Sequence, residues 1–320
     1  MHTNTHLHTS LTAIFCCICL VLTSATTSAI SFSIDATSPT PAPPDDILMP
    51  GPALILPGLS GFDVNGISYG HAHTSFPLVA GFGFSVDRVS GGIPGSATFV
   101  ESGGGPTFGE QSADIYSATV AVPGTNTMAF DGDGLFPPGA GGPALGLIEV
   151  VGGPPTDNLD ALDLRGPPPI GVIFWTADAI TLPGSSADIF ITPAGPGYTA
   201  APPAYVLAGT LGLGAADDID ALVVFDDGDG IYGAADTILL SLAPGSPSLP
   251  GLAAGPGDIL VASGGGAITG TYAPAGALGL TPGDNLNALD VHFIPEPSSL
   301  LLLGIGISIL MMSHRRWLPC

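Results

Sequence analysis

Lysine is absent from this chain of 320 residues, and only four arginines face 27 acidic residues, for a formal charge of −23. Arg315 and Arg316 lie in the C-terminal tail, so Arg88 and Arg165 are the only fixed cations of the central region. Such a surface repels phosphate backbones and anionic lipid, which argues against nucleic acid as a partner. Cysteine is confined to the ends, at Cys16, Cys17, Cys19 and Cys320. If both ends are removed or embedded, the remainder has no disulfide, although export would permit one, and its stability rests on packing. Between the ends there is also no long run of period 3.6, which excludes a helical architecture. The carboxylate excess has two readings: solubility outside the cell, in saline water, or bound divalent cations.

Glycine (47) and proline (33) are abundant, together a quarter of the chain. That nears the level at which disorder becomes an expectation. The 45% apolar content and the regular return of β-branched and aromatic runs oppose it. Glycine and proline are therefore read as turns between many short strands.

One phrase organises the chain. Asp157-Asn158-Leu159-Asp160-Ala161-Leu162-Asp163-Leu164 returns as Asp217-Asp218-Ile219-Asp220-Ala221-Leu222-Val223-Val224 and as Asp284-Asn285-Leu286-Asn287-Ala288-Leu289-Asp290-Val291. A worn copy stands at Asp63-Val64-Asn65-Gly66-Ile67. Two further segments recur with this phrase, segment A. Segment B is a β-rich run containing Phe32-Ser33-Ile34, Phe84-Ser85-Val86, Phe174-Trp175-Thr176 or Leu239-Leu240-Ser241. Segment C opens on Asp-Ile, at Asp46, Asp114, Asp188 and Asp258. A Leu-rich piece then leads to the next A: Leu54-Ile55-Leu56, Leu145-Gly146-Leu147, Leu211-Gly212-Leu213 and Leu278-Gly279-Leu280. The order is B-C, A-B-C, A-B-C, A-B-C, A, so the last A and the first B-C complete a fourth unit. Segment A starts at residues 63, 157, 217 and 284, and the long first unit is expected to carry insertions near 90–112 and 118–141.

Repeats that need both chain ends to complete a unit predict a ring, and a ring of β units removes the sheet edges that would otherwise aggregate. The fold expected is all-β, a small four-bladed β-propeller over residues 30–294; a β-prism or β-sandwich built from the same repeats is the alternative. The Asp-Ala-apolar phrase distantly resembles the opening of a hemopexin-type blade, which also builds four-bladed propellers. The aromatic and disulfide features of that family are missing here, so the resemblance implies architecture and no function.

Both ends read as export machinery. Residues 1–29 form an expected signal peptide, with an apolar core from Leu11 to Leu22 and a small-x-small site at Thr27-Ser28-Ala29. At the other end, Pro295-Glu296-Pro297 precedes Leu300-Leu301-Leu302-Leu303-Gly304-Ile305-Gly306-Ile307 and the basic stop Arg315-Arg316. This order, over 295–320, resembles the PEP-CTERM sorting signal of Gram-negative bacteria. The resemblance implies processing by an exosortase, a membrane peptidase, after transient membrane anchoring by the tail. It also implies localisation at the cell surface or in an exopolysaccharide matrix, with exopolysaccharide or other surface proteins as partners. A helix over 298–313 would be about 24 Å long at 1.5 Å per residue, short of a hydrocarbon core of about 30 Å.

Candidate sites are acidic. Asp226-Asp227-Gly228-Asp229-Gly230 and Asp131-Gly132-Asp133-Gly134 place carboxylates two apart on Gly-containing turns. Calcium takes six to eight hard oxygens and such turns supply them; neither keeps EF-hand spacing, and Asp-Gly is also the expected hairpin dipeptide. If segment A is the innermost strand, Asp163, Asp290 and their equivalents would ring a central channel and hold a cation. The alternative is a carboxylate capping a turn at the strand entrance. Gly66-Ile67-Ser68-Tyr69-Gly70 matches a nucleophile-elbow pattern but lacks the helix that motif needs. His71 and His73, with His292, form a weak metal-ligand set. No phosphate-binding loop appears and no acid pair stands out for glycoside hydrolysis. The expectation is a non-enzymatic binding or structural role, with calcium as a possible cofactor; the alternative is an extracellular hydrolase on the same scaffold.

Overall fold

A computed structural model describes residues 27–44, 46–50, 53–56, 63–69, 81–88, 90–103, 110–119, 122–132, 145–147, 157–165, 172–178, 184–193 and 202–294. The expected signal peptide up to residue 26, the 295–320 tail with Pro295, Glu296, Pro297, Arg315 and Arg316, and also Asp133, His71 and His73 lie outside the described residues. Residues 30–73 and 77–291 group as one compact unit.

The chain opens with β1 (Thr27–Ile34), β2 (Ile47–Met49) and β3 (Ala53–Leu56), yet these strands join β16 (Leu286–Ile294) in a sheet ordered β16-β1-β2-β3. Blade 1 is β4 (Val64–Ser68), β5 (Gly81–Val86), β6 (Ile115–Thr119) and β7 (Val122–Phe130). Blade 2 is β8 (Asn158–Arg165), β9 (Val172–Asp178), β10 (Ile189–Pro193) and β11 (Ala204–Val206). Blade 3 is β12 (Ile219–Phe225), β13 (Thr237–Leu242), β14 (Ile259–Ser263) and β15 (Ile268–Ala273). The paired strands are antiparallel throughout the three continuous blades. The protein is thus a four-bladed β-propeller, its fourth blade assembled from both ends of the repeat region. Segments A, B and C are the first, second and third strands.

Two sequence expectations need correction. The region 118–141 is not merely an insertion: it contains β7, the fourth strand of blade 1. The Leu-rich pieces are not equivalent to one another. Leu54-Ile55-Leu56 belongs to strand β3, whereas Leu211-Gly212-Leu213 and Leu278-Gly279-Leu280 close the short helices Ala208–Leu211 and Ala275–Leu278. Gly212 and Gly279 are left-handed (φ +80° and +81°), and Leu213 and Leu280 donate N–H back to Ala208 and Ala275 C=O, each at 2.9 Å. That is a Schellman cap, which needs glycine where φ is positive.

The core lies in four seams, one between each pair of neighbouring blades. Alternation decides which seam a residue joins: on β12, Ile219, Leu222 and Val224 face blade 2, whereas Ala221 and Val223 face blade 4. On β9, Phe174 joins the seam with blade 3, and Ile173 and Trp175 join the seam with blade 1. Strands packed on both faces carry nearly continuous apolar runs, which is why segments A and B read that way in sequence.

The worn copy of segment A has a packing cause. Where the other units carry Ala161, Ala221 and Ala288, blade 1 has Gly66, and an added Cβ would sit 2.7 Å from Leu162 Cβ and 3.0 Å from Leu162 N. Gly66→Ala should therefore destabilise the fold by roughly 1–3 kcal/mol, through overpacking. A denaturant melt with an unchanged slope and a lower midpoint would show it.

Candidate functional site

Hydroxyl groups bind each blade to the next. On every second strand one polar residue interrupts the apolar run. Ser33, Ser85, Thr176 and Ser241 donate to the carbonyls of Val64, Leu159, Ile219 and Leu286, at 2.9, 3.3, 3.0 and 2.9 Å. The acceptor precedes the fourth residue of segment A in blades 2 to 4 and precedes Asn65 in blade 1, so Asn65 corresponds to Asp160 and the first copy is one residue out of register with a start at Asp63. The residue after the acceptor is skipped in the pairing of β4 with β5, β8 with β9 and β12 with β13, which marks a β-bulge at Asn65, Asp160 and Asp220. A bulge disrupts the ladder and re-aims its extra side chain.

The aspartates that open strands close turns. Asp188, Asp217, Asp236, Asp258 and Asp284 each donate their own N–H to the carbonyl three residues back, at Ser185, Gly214, Gly233, Gly255 and Thr281. The N–H groups of those same residues return to the carboxylate, at 2.6–3.0 Å. In all five the other oxygen takes a backbone N–H from elsewhere: Ala208, Ser248, Asp227, Ala275 and Thr40, at 2.6–2.8 Å. Ala208 and Ala275 begin the two short helices, whose N-cap residues Leu207 and Pro274 make no side-chain cap of their own. Burial pushes the carboxyls of Asp217 and Asp284 upward, but hydrogen bonds from Ser248 and Gly214, and from Thr40 and Thr281, outweigh it and hold them below the ordinary range.

Asp163 and Asp290, expected to ring a channel, also bind backbone. Asp163 accepts from Ser68 Oγ at 3.0 Å and from Val224 N at 2.8 Å, so it joins the inner strands of blades 1, 2 and 3. Asp290 accepts from Tyr69 N at 2.5 Å and joins blade 4 to blade 1. Ser68 lies in strand β4 and its Oγ also accepts from Leu164 N at 3.0 Å, so the nucleophile-elbow pattern is a strand with an inter-blade contact. Both central arginines cross seams as well. Arg88 reaches Asp178 of blade 2, with Nη2 3.2 Å from its carbonyl, and Arg165 pairs with the Asp226 carboxylate and carbonyl of blade 3.

The Asp226-to-Asp236 turn assembles a possible metal centre. Carboxylate oxygens of Asp226 (half-buried), Asp229 (exposed) and Asp236 (buried) lie within 4.8 Å of one another, and this group can hold an ion such as calcium. Asp227, from the same run, donates its N–H to Asp236 and accepts from Asp229 N at 3.2 Å, so it braces the turn. Asp226 also accepts from Gly228 and Gly230 N and faces the Tyr205 hydroxyl at 3.4 Å. Burial, then Asp236 and Asp226, push that phenol well above its ordinary value. Asp131 is buried beside Gly132, whose N–H donates to Asp114 at 2.8 Å. Asp236, just before β13, lies seven residues beyond Asp229 and so outside the spacing of a short Asp-Gly turn.

A second set of carboxylates and amides comes from the bulges. Asn65, Asp160, Asp220 and Asn287 are all buried, as are Asp63, Asn158 and Asn285. Asn287 Nδ2 donates to Asp63 Oδ1 and Asn65 Oδ1, both at 3.0 Å, across the seam between blades 4 and 1. Asn158 Nδ2 donates to Asp160 Oδ1 at 2.5 Å, and the Asn285 side chain bonds the Asp220 carboxyl. Burial, then Asp35 and Asp87, raise Asp63 to about 7; burial, then Asp178, raise Asp218 to about 6. Burial, then Asp218, raise Asp220 to about 8, and burial with Asp218, Asp220 and Asp178 also raises Asp160 well above the ordinary range.

Among the described residues no helix is long and apolar enough to cross a membrane. Compared with protein-family models and with curated proteins, the chain matches none.

Proposed function

We propose that this is an exported protein of the Gram-negative cell surface or extracellular matrix, sorted by an exosortase and non-enzymatic in role. The observation that carries the reading is the ordered tail, Pro295-Glu296-Pro297, then an apolar stretch too short to anchor permanently, then Arg315-Arg316. Its propeller would serve as a binding or structural module for exopolysaccharide or other surface proteins.

The chemistry of the propeller supports that role. Many of its acids are spent on turns, caps and seams, and the five turn-closing aspartates each accept two backbone N–H groups. A lysine-free surface of high negative charge also favours solubility outside the cell. Calcium at Asp226, Asp229 and Asp236 would fit the same setting, since the donors are hard oxygens.

The sorting reading is tested by removing residues 295–320 and following the protein by surface labelling. The expected result is loss of surface display, with the protein released in soluble form. Display at the level of the full chain overturns the proposal.

A further inference from the structure

Each blade ends on an outer strand: β3, β7, β11 and β15 are the last of their sheets among the described residues. The open side of such a strand is a row of backbone N–H and C=O groups that pairs readily with another extended chain. Natural sheets guard it by shortness, by proline, by charge or by a covering element. Three of the four outer strands are guarded in these ways. β3 has four residues, with Pro52 before it and Pro57 after it in the sequence. β11 has three and follows Pro202-Pro203. β7 contains Pro123, and the helix Ala97–Glu101 is tied to it, since Thr98 N and Oγ1 both donate to Asn126 Oδ1 at 3.1 Å.

β15, Ile268-Thr269-Gly270-Thr271-Tyr272-Ala273, has none of these guards. It is six residues long, proline only ends it, at Pro274, and no charged residue occurs from Ile259 to Gly283. Thr269, Thr271 and Tyr272 are exposed, and a Cβ added at Gly270 would meet nothing within 4 Å. Ile, Thr and Tyr are also residues that favour strands. A bulge is a further guard, but one residue is skipped near the end of every outer strand, at Ile55, Ala129, Tyr205 and Tyr272, so it does not set β15 apart. A second bulge at Thr269 leaves Gly270-Thr271 as the regular centre of β15.

An edge of this kind takes an extended polypeptide, and two features make that polypeptide a second copy of the same chain. The first is charge. At −23, two copies repel wherever their acids face each other, and along β15 and its flanks there is no acid to face. The second is symmetry. Thr269-Gly270-Thr271 reads the same in both directions. Antiparallel pairing with Gly270 opposite Gly270 therefore sets Thr269 against the second copy's Thr271 twice, about a two-fold axis. Directly opposed threonines stabilise a sheet.

We infer that β15 is a self-association edge, on which two copies of this protein join blade 3 to blade 3 in one continuous sheet. Six residues a side is fewer than the roughly 20–30 of a standard interface. The pairing is therefore weak in dilute solution and grows with concentration, and salt strengthens it by screening the net charge. The inference does not rest on the sorting of the chain by its tail.

The test uses the full chain in detergent, with Cys16, Cys17, Cys19 and Cys320 changed to serine and one cysteine added. The addition is Gly270→Cys, at the centre of the edge, or Val100→Cys, exposed on the helix beside β7. Directly opposed residues of an antiparallel pair have Cα atoms about 4.5–5.5 Å apart, within the roughly 4.4–6.8 Å that a disulfide spans. Under mild oxidation G270C should form disulfide-linked dimers at least roughly tenfold faster than V100C, and faster still in high salt. Equal rates, or no dimer from G270C, overturn the proposal. A third protein adds Thr269→Glu and Thr271→Glu to G270C. Both threonines are exposed, so the fold should hold while cross-linking falls to the V100C rate. Cross-linking that keeps its full rate beside four facing glutamates overturns the proposal too. If the glutamate variant fails to fold, the comparison of G270C with V100C still decides.

Discussion

A chain ending at Gly283 should lose cooperative folding altogether, whereas one ending at Ile294 should melt as a single transition. The difference between the two is β16, one strand of the sixteen among the described residues. In an ordinary sheet, loss of one outer strand weakens the fold; here β16 is the innermost strand of blade 4 and takes part in two seams. Without it Leu286, Leu289 and Val291 leave the seam with blade 3, and Ala288 leaves the seam with blade 1. Ser241 loses its acceptor carbonyl at Leu286, and Tyr69 N loses Asp290. Asp284, last of the turn-closing aspartates, also goes, and with it the bonds to Thr40 N at 2.7 Å and Thr40 Oγ1 at 2.5 Å. Each buried apolar side chain contributes about 1.5–3 kcal/mol and each bond to a carboxylate about 1.5–3, which together exceed the 5–15 kcal/mol of a typical domain's stability. Calorimetry of the two chains decides it: a two-state peak from the Gly283 chain would mean that three blades stand alone.

The second large effect is on pH. In calcium-free buffer the protein should be most stable near pH 4–5 and lose stability steadily toward pH 8. Asp63, Asp218 and Asp220 have folded values of about 7, 6 and 8, with burial the largest cause in each, and Asp160 is raised in the same way. In the unfolded chain each ionises near 3.9. Between those values the folded state holds more protons, so stability falls as pH rises. The contribution is complete below about pH 4 and gone above the folded values. Asp217 and Asp284 act in the opposite sense, because their lowered values stabilise above the unfolded value and fail in stronger acid. Each raised group changes stability by up to about 1.4 kcal/mol per pH unit, and a kcal/mol moves the melting temperature by roughly 2–4 °C in a chain of this size. A melting series from pH 4 to 8 in chelator should therefore fall by several degrees per unit above pH 5. A flat or rising series would show that these four carboxyls do not hold their protons on folding.

How much of this was legible follows from what each residue packs against. Segments A, B and C repeat because they are packed on both faces between blades, where Phe32, Phe84, Phe174 and Leu239 have little freedom to vary. The fourth strands do not repeat legibly. β15 alternates between half-buried and exposed along Ile268–Thr271, and an outer strand with one free face carries no fixed apolar pattern. Leu-Gly-Leu was visible as a repeat, but a Schellman cap and a short apolar strand look alike without the φ of the glycine.

The acidic positions divide in the same way. That Asp at a strand entrance would close a turn was readable from its place three residues after Gly, Ser or Thr. The bulge was not. Period-two counting treats segment A as an unbroken strand and points to Asp163 and Asp290; Asp163 does meet the inner strands of blades 1 and 3, but the skipped fourth residue, which re-aims Asp160 and Asp220, has no mark in the pattern. The interrupting Ser and Thr of segment B were in plain view, and a hydroxyl at the second or third place of each apolar run is the signal that could have revealed the latches.

Closure by the two ends of the repeat region has a kinetic side. Asp284 meets Thr40 across 244 residues, while Asp163 meets Val224 across 61. Loop entropy grows only with the logarithm of length, at about 0.6 kcal/mol per doubling, so this fourfold longer closure costs about 1.2 kcal/mol more. The equilibrium penalty is small, but the search is long-range, and contacts of that separation form late. Blades 1 to 3 can each assemble from neighbouring sequence as the chain is made. The fourth waits for β16, so the final and slowest step of folding is the meeting of the first strand with the last.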